Sequence, residues 1–150
     1  MTGTKAVWSR AINTFLSEKR NPGSVVTHEW LLEQFELSLP DTLSKKDWVR
    51  WELKYLSYVM PFRDHLLKDH FIDLQPDGHS GFMVIPPPEQ TKDAMIELGQ
   101  KYKQIHKRCT NRLRYVNKDG LSQQEVQENA DALARIANLK ALTQPIIWWR

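Results

Sequence analysis

The stretch "DLQPDGHSGFMVIPPPEQ", Asp73 to Gln90, decides how this chain is read, because it is the one place where a helical pattern gives way. Two short apolar runs, "FIDL" (Phe71 to Leu74) and "FMVI" (Phe82 to Ile85), flank "QPDGHSG". The Asp-Gly step and second glycine of that loop favour a reversal, so the pattern predicts a β-hairpin. Pro86 to Pro88 forbid the second strand from continuing and start a new segment.

Upstream, residues 5–20 place Val7, Ala11 and Phe15 on one helical row and Trp8, Ile12 and Leu16 on the next. "NPG" at Asn21 to Gly23 ends that helix, and "SVV" (Ser24 to Val26) reads as a short β-like stub. Thr27 is placed to cap a helix over "HEWLLEQFEL", with Glu29 near the positive end of its dipole. "SLPD" breaks that helix, after which Ser44 and Asp47 approximate a capping box. From Lys45 to His70 the pattern is helical but interrupted by Pro61, which predicts a kink or two helices, "KKDWVRWELKYLSYVM" and "FRDHLLKDH". The first carries Trp48, Val49, Trp51, Leu53, Leu56, Val59 and Met60 on nearly all sides and is expected to be the central buried helix. Trp8, Trp30, Trp48 and Trp51 are all expected in the core.

Downstream, two more helices are expected, Lys92 to about Val116 and Gln123 to Leu142. Ser122 and Glu125 form a capping box for the second, and the "NKDG" turn between them predicts an antiparallel helical hairpin. The chain therefore reads as a mainly α protein in two parts, 1–88 and 89–150.

The order helix, stub strand, helix, helical stretch, strand, loop, strand over residues 5–88 resembles the winged helix-turn-helix. The likeness is carried by "SVVT" before a capped helix, the break at "SLPD", and "GFMVIPP", which is similar to a second wing strand. Pro61 and the long connection from Leu37 to Ser44 depart from the pattern. The resemblance implies a DNA-binding domain whose hairpin is the wing and whose recognition segment is "FRDHLLKDH". Arg63, His65 and Lys68 would point outward there, with Asp64 and Asp69 opposing a phosphate contact. Winged helices also serve as protein-binding modules, and both roles stay open.

Charge is concentrated elsewhere. "QKYKQIHKRCTNRLRYVNK", Gln100 to Lys118, holds seven lysines and arginines and no acid. With Lys101 set at zero on a helical wheel, Lys101, Arg108 and Arg112 gather within about 20° of it, and Lys103, Lys107 and Arg114 gather near about 220°. An apolar stripe of Met95, Leu98, Tyr102, Ile105, Cys109, Leu113 and Val116 centres near about 80°. Two basic ridges beside an apolar face make a phosphate-contacting surface, since such side chains displace counterions from nucleic acid. The other reading is a solvated face neutralised by Asp119, Glu125, Glu128 and Asp131 of the following turn and helix. The stripe has short a/d spacing, so a homodimer through this part is an open alternative to packing on Val126, Leu133 and Ala137.

No catalytic or metal motif is present, and no cofactor is implied. His65 and His70 are five residues apart rather than three or four, so they do not share a helical face as ligands would. The single cysteine, Cys109, falls on the apolar stripe and reads as a buried, inert thiol. "PDGHSG" is too short for a phosphate-binding loop and lacks its Lys-Ser/Thr step. The N-terminus has no signal-peptide h-region and no apolar run is long enough to span a bilayer, so a cytoplasmic protein without membrane attachment is expected. The tail "IIWWR" either folds back or offers Ile146, Ile147, Trp148 and Trp149 to a partner. The net charge of +3 permits a polyanion without demanding one. The expectation is a non-enzymatic regulator or accessory factor on double-stranded DNA, similar in style to small bacterial and phage regulators. The alternative is a protein-interaction module, an inhibitor or adaptor of a nucleic-acid-processing machine.

Overall fold

The structure, a computed structural model, describes residues 3–41 and 44–147. The chain divides into two compact units, Met1–Pro88 and Glu89–Arg150. The first is built on three helices, α1 (Thr4–Ser17), α2 (His28–Phe35) and α3 (Lys45–His70), and three short strands, β1 (Val25–Thr27), β2 (Leu74–Asp77) and β3 (Gly81–Val84). The second contains most of α4 (Pro87–Arg114), a 3-10 turn at Lys118–Gly120, and α5 (Gln123–Ile147).

Local signals set most of the ends. The Thr27 hydroxyl accepts from the Trp30 N–H at 3.2 Å and opens α2, and Ser44 does the same for Asp47 at 3.2 Å to open α3. Ser122 and Glu125 close a reciprocal box at α5, through Glu125 N–H to the serine oxygen at 3.2 Å and Ser122 N–H to the carboxylate at 2.8 Å. α4 begins at Pro87, five residues before the expected start at Lys92. The first turn of a helix needs no N–H donors, so prolines are accepted there.

The antiparallel sheet has the order β1-β3-β2, so the stub strand is not isolated but pairs with the hairpin, Val26 opposite Phe82 and Thr27 opposite Gly81. The hairpin itself is shifted three residues at its first strand: β2 is "LQPD" rather than "FIDL". Phe71 is instead the left-handed cap of α3, with φ of 60°. Pro76 is tolerated because β2 is an edge strand in this order. The tip is short, closed by Ser80 N–H to the Asp77 carbonyl at 3.1 Å.

One helix, not two, runs through Pro61. Proline removes a backbone bond and costs about 3 kcal/mol in a helix interior. Against that stand Val59, Phe62 and Leu66, all fully buried, each contributing about 1.5–3 kcal/mol by leaving water. Their spacing with Tyr55 (positions 55, 59, 62 and 66) keeps them on one face only if the helix is continuous. Phe62 is the hub, with ring centroids 6.1 Å from Phe15, 6.2 Å from Trp30 and 5.8 Å from Phe35. α3 is not apolar-buried on all sides, however. Val49, Leu53, Leu56, Met60 and Leu67 are exposed, because α1, α2 and the sheet of this unit cover only one face. Trp8 joins the core and Trp30 and Trp51 pack half-buried against it, while Trp48 lies edge-on to Trp51 at 5.8 Å without entering the core cluster.

In the second unit the Asn129 amide donates to the Leu113 carbonyl at 3.0 Å, which brings α5 back beside the end of α4. α5 runs five residues past the expected end at Leu142, through Pro145 to Ile147. Only one backbone N–H is lost there, close to a helix end where unpaired carbonyls already occur. Trp148 and Trp149 lie outside the described residues, and so do the side chains of Ile146 and Ile147.

Gly81 has φ of +146°, and a Cβ there would overlap the Val26 carbonyl oxygen of the neighbouring strand. Gly81→Ala is expected to destabilise the first unit by more than about 2 kcal/mol, read as a lower urea midpoint. Tyr55 gives a second test. Its hydroxyl lies 2.8 Å from His28 Nδ1, and burial, followed by the nearby charge of Glu29, pushes the phenol from 10.0 up to about 12. A raised phenol pKa stabilises the fold fully below the unfolded value and is lost as pH rises through the folded one. Stability should therefore fall between pH 10 and about 12, and Tyr55→Phe should remove that component of an alkaline denaturation series.

Candidate nucleic-acid interface

The three candidate contact residues of the segment before the hairpin, Arg63, His65 and Lys68, are all engaged. Arg63 does not point outward: its Nε and Nη2 both donate to the Leu74 carbonyl, at 3.0 and 2.7 Å, and its guanidinium lies 4.6 Å from the Phe82 ring centroid. It clamps β2 and β3 onto α3 through a charge-assisted fork and a cation–π contact. His65 stacks on Trp8 at 4.4 Å and 19°, with Nδ1 3.0 Å from Asp69. Lys68 Nζ is 2.9 Å from the Asp64 carboxylate, one turn away. The acids of "FRDHLLKDH" thus sit on its own lysine and histidine.

α4 carries its charge differently. Lys101, Lys103, Lys107, Arg108, Arg112 and Arg114 are all exposed. The packed face of the helix is formed by Met95, Gly99, Tyr102, His106, Cys109, Thr110 and Leu113, whereas Leu98 and Ile105, expected on it, are about half exposed at 51% and 53%. On the same wheel that face centres near about 120°, some 40° from the expected direction. The shift leaves the two basic ridges almost evenly to either side, so both belong to the outward half of the helix. Between them from residue 100 lie Gln100, Gln104, Asn111 and Tyr115, none acidic. From Lys101 to Arg114 this surface runs for about 20 Å along the axis.

The acids of α5 have hydrogen-bond partners of their own. Glu125 is held by the Ser122 N–H, Glu128 accepts from the Gln124 amide at 3.2 Å and Asp131 accepts from the Gln127 amide at 3.0 Å, all within α5 and its cap. Among the described residues, Lys101, Lys107, Arg108, Arg112 and Arg114 form no ion pair. Arg112 and Arg114 occupy the last turn of α4, where the negative end of the helix dipole favours them. That accounts for two of the six charges; Lys101, Lys107 and Arg108 lie further from the helix end.

Hydropathy counting could not place the packed face correctly, because Gly99, His106 and Thr110 carry no apolar signal. It also missed a surface feature of α3. Val49, Leu53, Leu56, Met60 and Leu67 follow one row of the helix at spacings of three, four and seven, and that row faces solvent. Among the described residues there is no group of three or more His, Cys, Asp or Glu placed to hold a metal, and no helix long and apolar enough to cross a membrane.

Arg63→Met should cost about 2 kcal/mol in chemical denaturation, through the lost charge-assisted bonds to Leu74, while leaving any duplex affinity within about twofold. Compared with protein-family models, with curated proteins and with solved structures, the chain has no significant match.

Proposed function

We propose that this chain is a non-enzymatic DNA-binding protein, a regulator or accessory factor that holds duplex DNA mainly through the outward face of α4. The observation that carries this reading is the set of six exposed basic side chains from Lys101 to Arg114, with no acid among them in sequence. Such a surface would draw its affinity from counterion release on neutralising backbone phosphates. It contacts phosphates rather than base edges, which positions a protein on DNA without naming a sequence.

In this reading the first unit is a winged helix. Its element order and the strand order β1-β3-β2, with the hairpin directly after α3, support that assignment. The wing is short and acidic at Asp77, and Arg63 is committed to holding it in place. The first unit therefore contributes less to DNA contact than the resemblance alone implies. A second reading, a protein-interaction module, is favoured by one observation, the exposed apolar row of α3.

Six phosphate contacts predict that log K falls against log salt with a slope of about −5, a loss of about three orders of magnitude between about 50 and 200 mM salt. Replacing Arg108, Arg112 and Arg114 by Gln should weaken binding to mixed-sequence duplex and reduce that slope by about 3. Lys68→Gln should leave both unchanged. Absence of a duplex complex at low salt, or a slope untouched by the triple substitution, overturns the reading.

A further inference from the structure

α2 and the N-terminal half of α3 diverge around an open groove of about 500 Å³. It is lined by Leu32, Leu39, Trp51, Tyr55 and Leu56, together with His28 and the two carboxylates of Glu29 and Glu52. The floor is rigid: Trp51 and Tyr55 stack with ring centroids 5.5 Å apart and only 3° between planes. The Trp51 indole N–H donates to the Ser38 carbonyl at 2.8 Å, and the Tyr55 hydroxyl is tied to His28. Leu39 and Leu56 are nevertheless exposed, at 56% and 46%, which is unusual for apolar side chains set beside such a platform.

The rim is acidic. Glu29 and Glu52 line it, and neither forms an ion pair or side-chain hydrogen bond among the described residues. With Glu52 taken as zero on the α3 wheel, Leu56 lies near about 40°, while the cationic Arg50 and Lys54 lie near about 160° and 200°, on the other side of the helix. The groove is thus negative at its edge and apolar at its base. Leu56 also belongs to the exposed row of Val49, Leu53 and Met60, so the apolar surface continues out of the groove along α3.

We infer that this groove docks a cationic amphipathic helix of a partner protein. Large apolar side chains on one face of that helix lie over Trp51, Tyr55 and Leu56, and its flanking Lys or Arg side chains pair with Glu29 and Glu52. This is helix-in-groove recognition, in which anchors at i, i+3 or i+4, and i+7 supply affinity and the rim charges select the sign of the partner. Nucleic acid is disfavoured here by the same two carboxylates. The inference is independent of DNA binding by α4 and stands or falls separately from it.

The test uses the full chain and a synthetic helical peptide of about four turns, with Leu and Phe at i, i+3 and i+7 and Lys or Arg on both flanks. A matched peptide carries Glu in place of every Lys and Arg. By calorimetry the cationic peptide should bind at least tenfold more tightly than the acidic one. Leu39→Ser with Leu56→Ser, which removes apolar surface at constant charge and leaves the core intact, should abolish binding. Glu29→Gln with Glu52→Gln should weaken it at least threefold at low salt. The triple Arg→Gln variant of α4 should bind the cationic peptide as the parent does. No binding, equal binding of both peptides, or binding that survives the Leu→Ser pair overturns the proposal. So does a concentration-dependent self-association, seen by sedimentation, that the Leu→Ser pair removes, since the occupant would then be a second copy of this chain.

Discussion

The first unit depends on α3 remaining one helix past Pro61, because the next residue, Phe62, is the side chain on which the other elements converge. Its ring meets Phe15 from α1 and both Trp30 and Phe35 from α2. A helix ending at Pro61 would turn Phe62, Arg63 and Leu66 away from Tyr55 and Val59. Leu74 would then lose the guanidinium that holds β2 in place. Burial of three large apolar groups outweighs one missing hydrogen bond and a local clash. Position 61 is half-buried and the Ser57 carbonyl left without a donor belongs to an exposed residue, where water can serve it.

Two exposed surfaces remain after the core has formed, and they differ in kind. α3 turns an apolar row to solvent, continuous with a groove whose edge is acidic. α4 turns a basic half to solvent, and the acids of the neighbouring helix are occupied within that helix. In the proposals made above the first receives a protein segment and the second a phosphate backbone.

Legibility differed sharply from residue to residue. Caps at Thr27, Ser44 and Ser122 were readable because each is a local hydrogen bond within four residues. The rows Val7, Ala11, Phe15 and Trp8, Ile12, Leu16 were readable because a strong period marks a packed face. The partner of β1 was not, since nothing within "SVV" indicates that Gly81 and Phe82 lie opposite. Arg63 looked like a phosphate ligand for a related reason. A basic residue before a hairpin is ambiguous until the Leu74 carbonyl and the Phe82 ring are known to surround it.

What the sequence determined by itself was the local conformation and the inventory of charge. It specified helices, a Gly-dependent hairpin between them, and a run from Gln100 to Lys118 with seven basic residues and no acid. Tertiary structure decided which face of each helix is covered. That depends on how many elements pack around it, and periodicity reports only that an apolar face exists. α3 has more apolar surface than α1, α2 and the sheet can cover, so Leu53 and Met60 remain in water. α4 packs through Gly99, His106 and Thr110, residues without an apolar signal, and this rotation sends both basic ridges outward. The hairpin of Asp73 to Gln90 is likewise specified locally, but its place in a three-stranded sheet follows from the room that Gly81 leaves for the Val26 carbonyl.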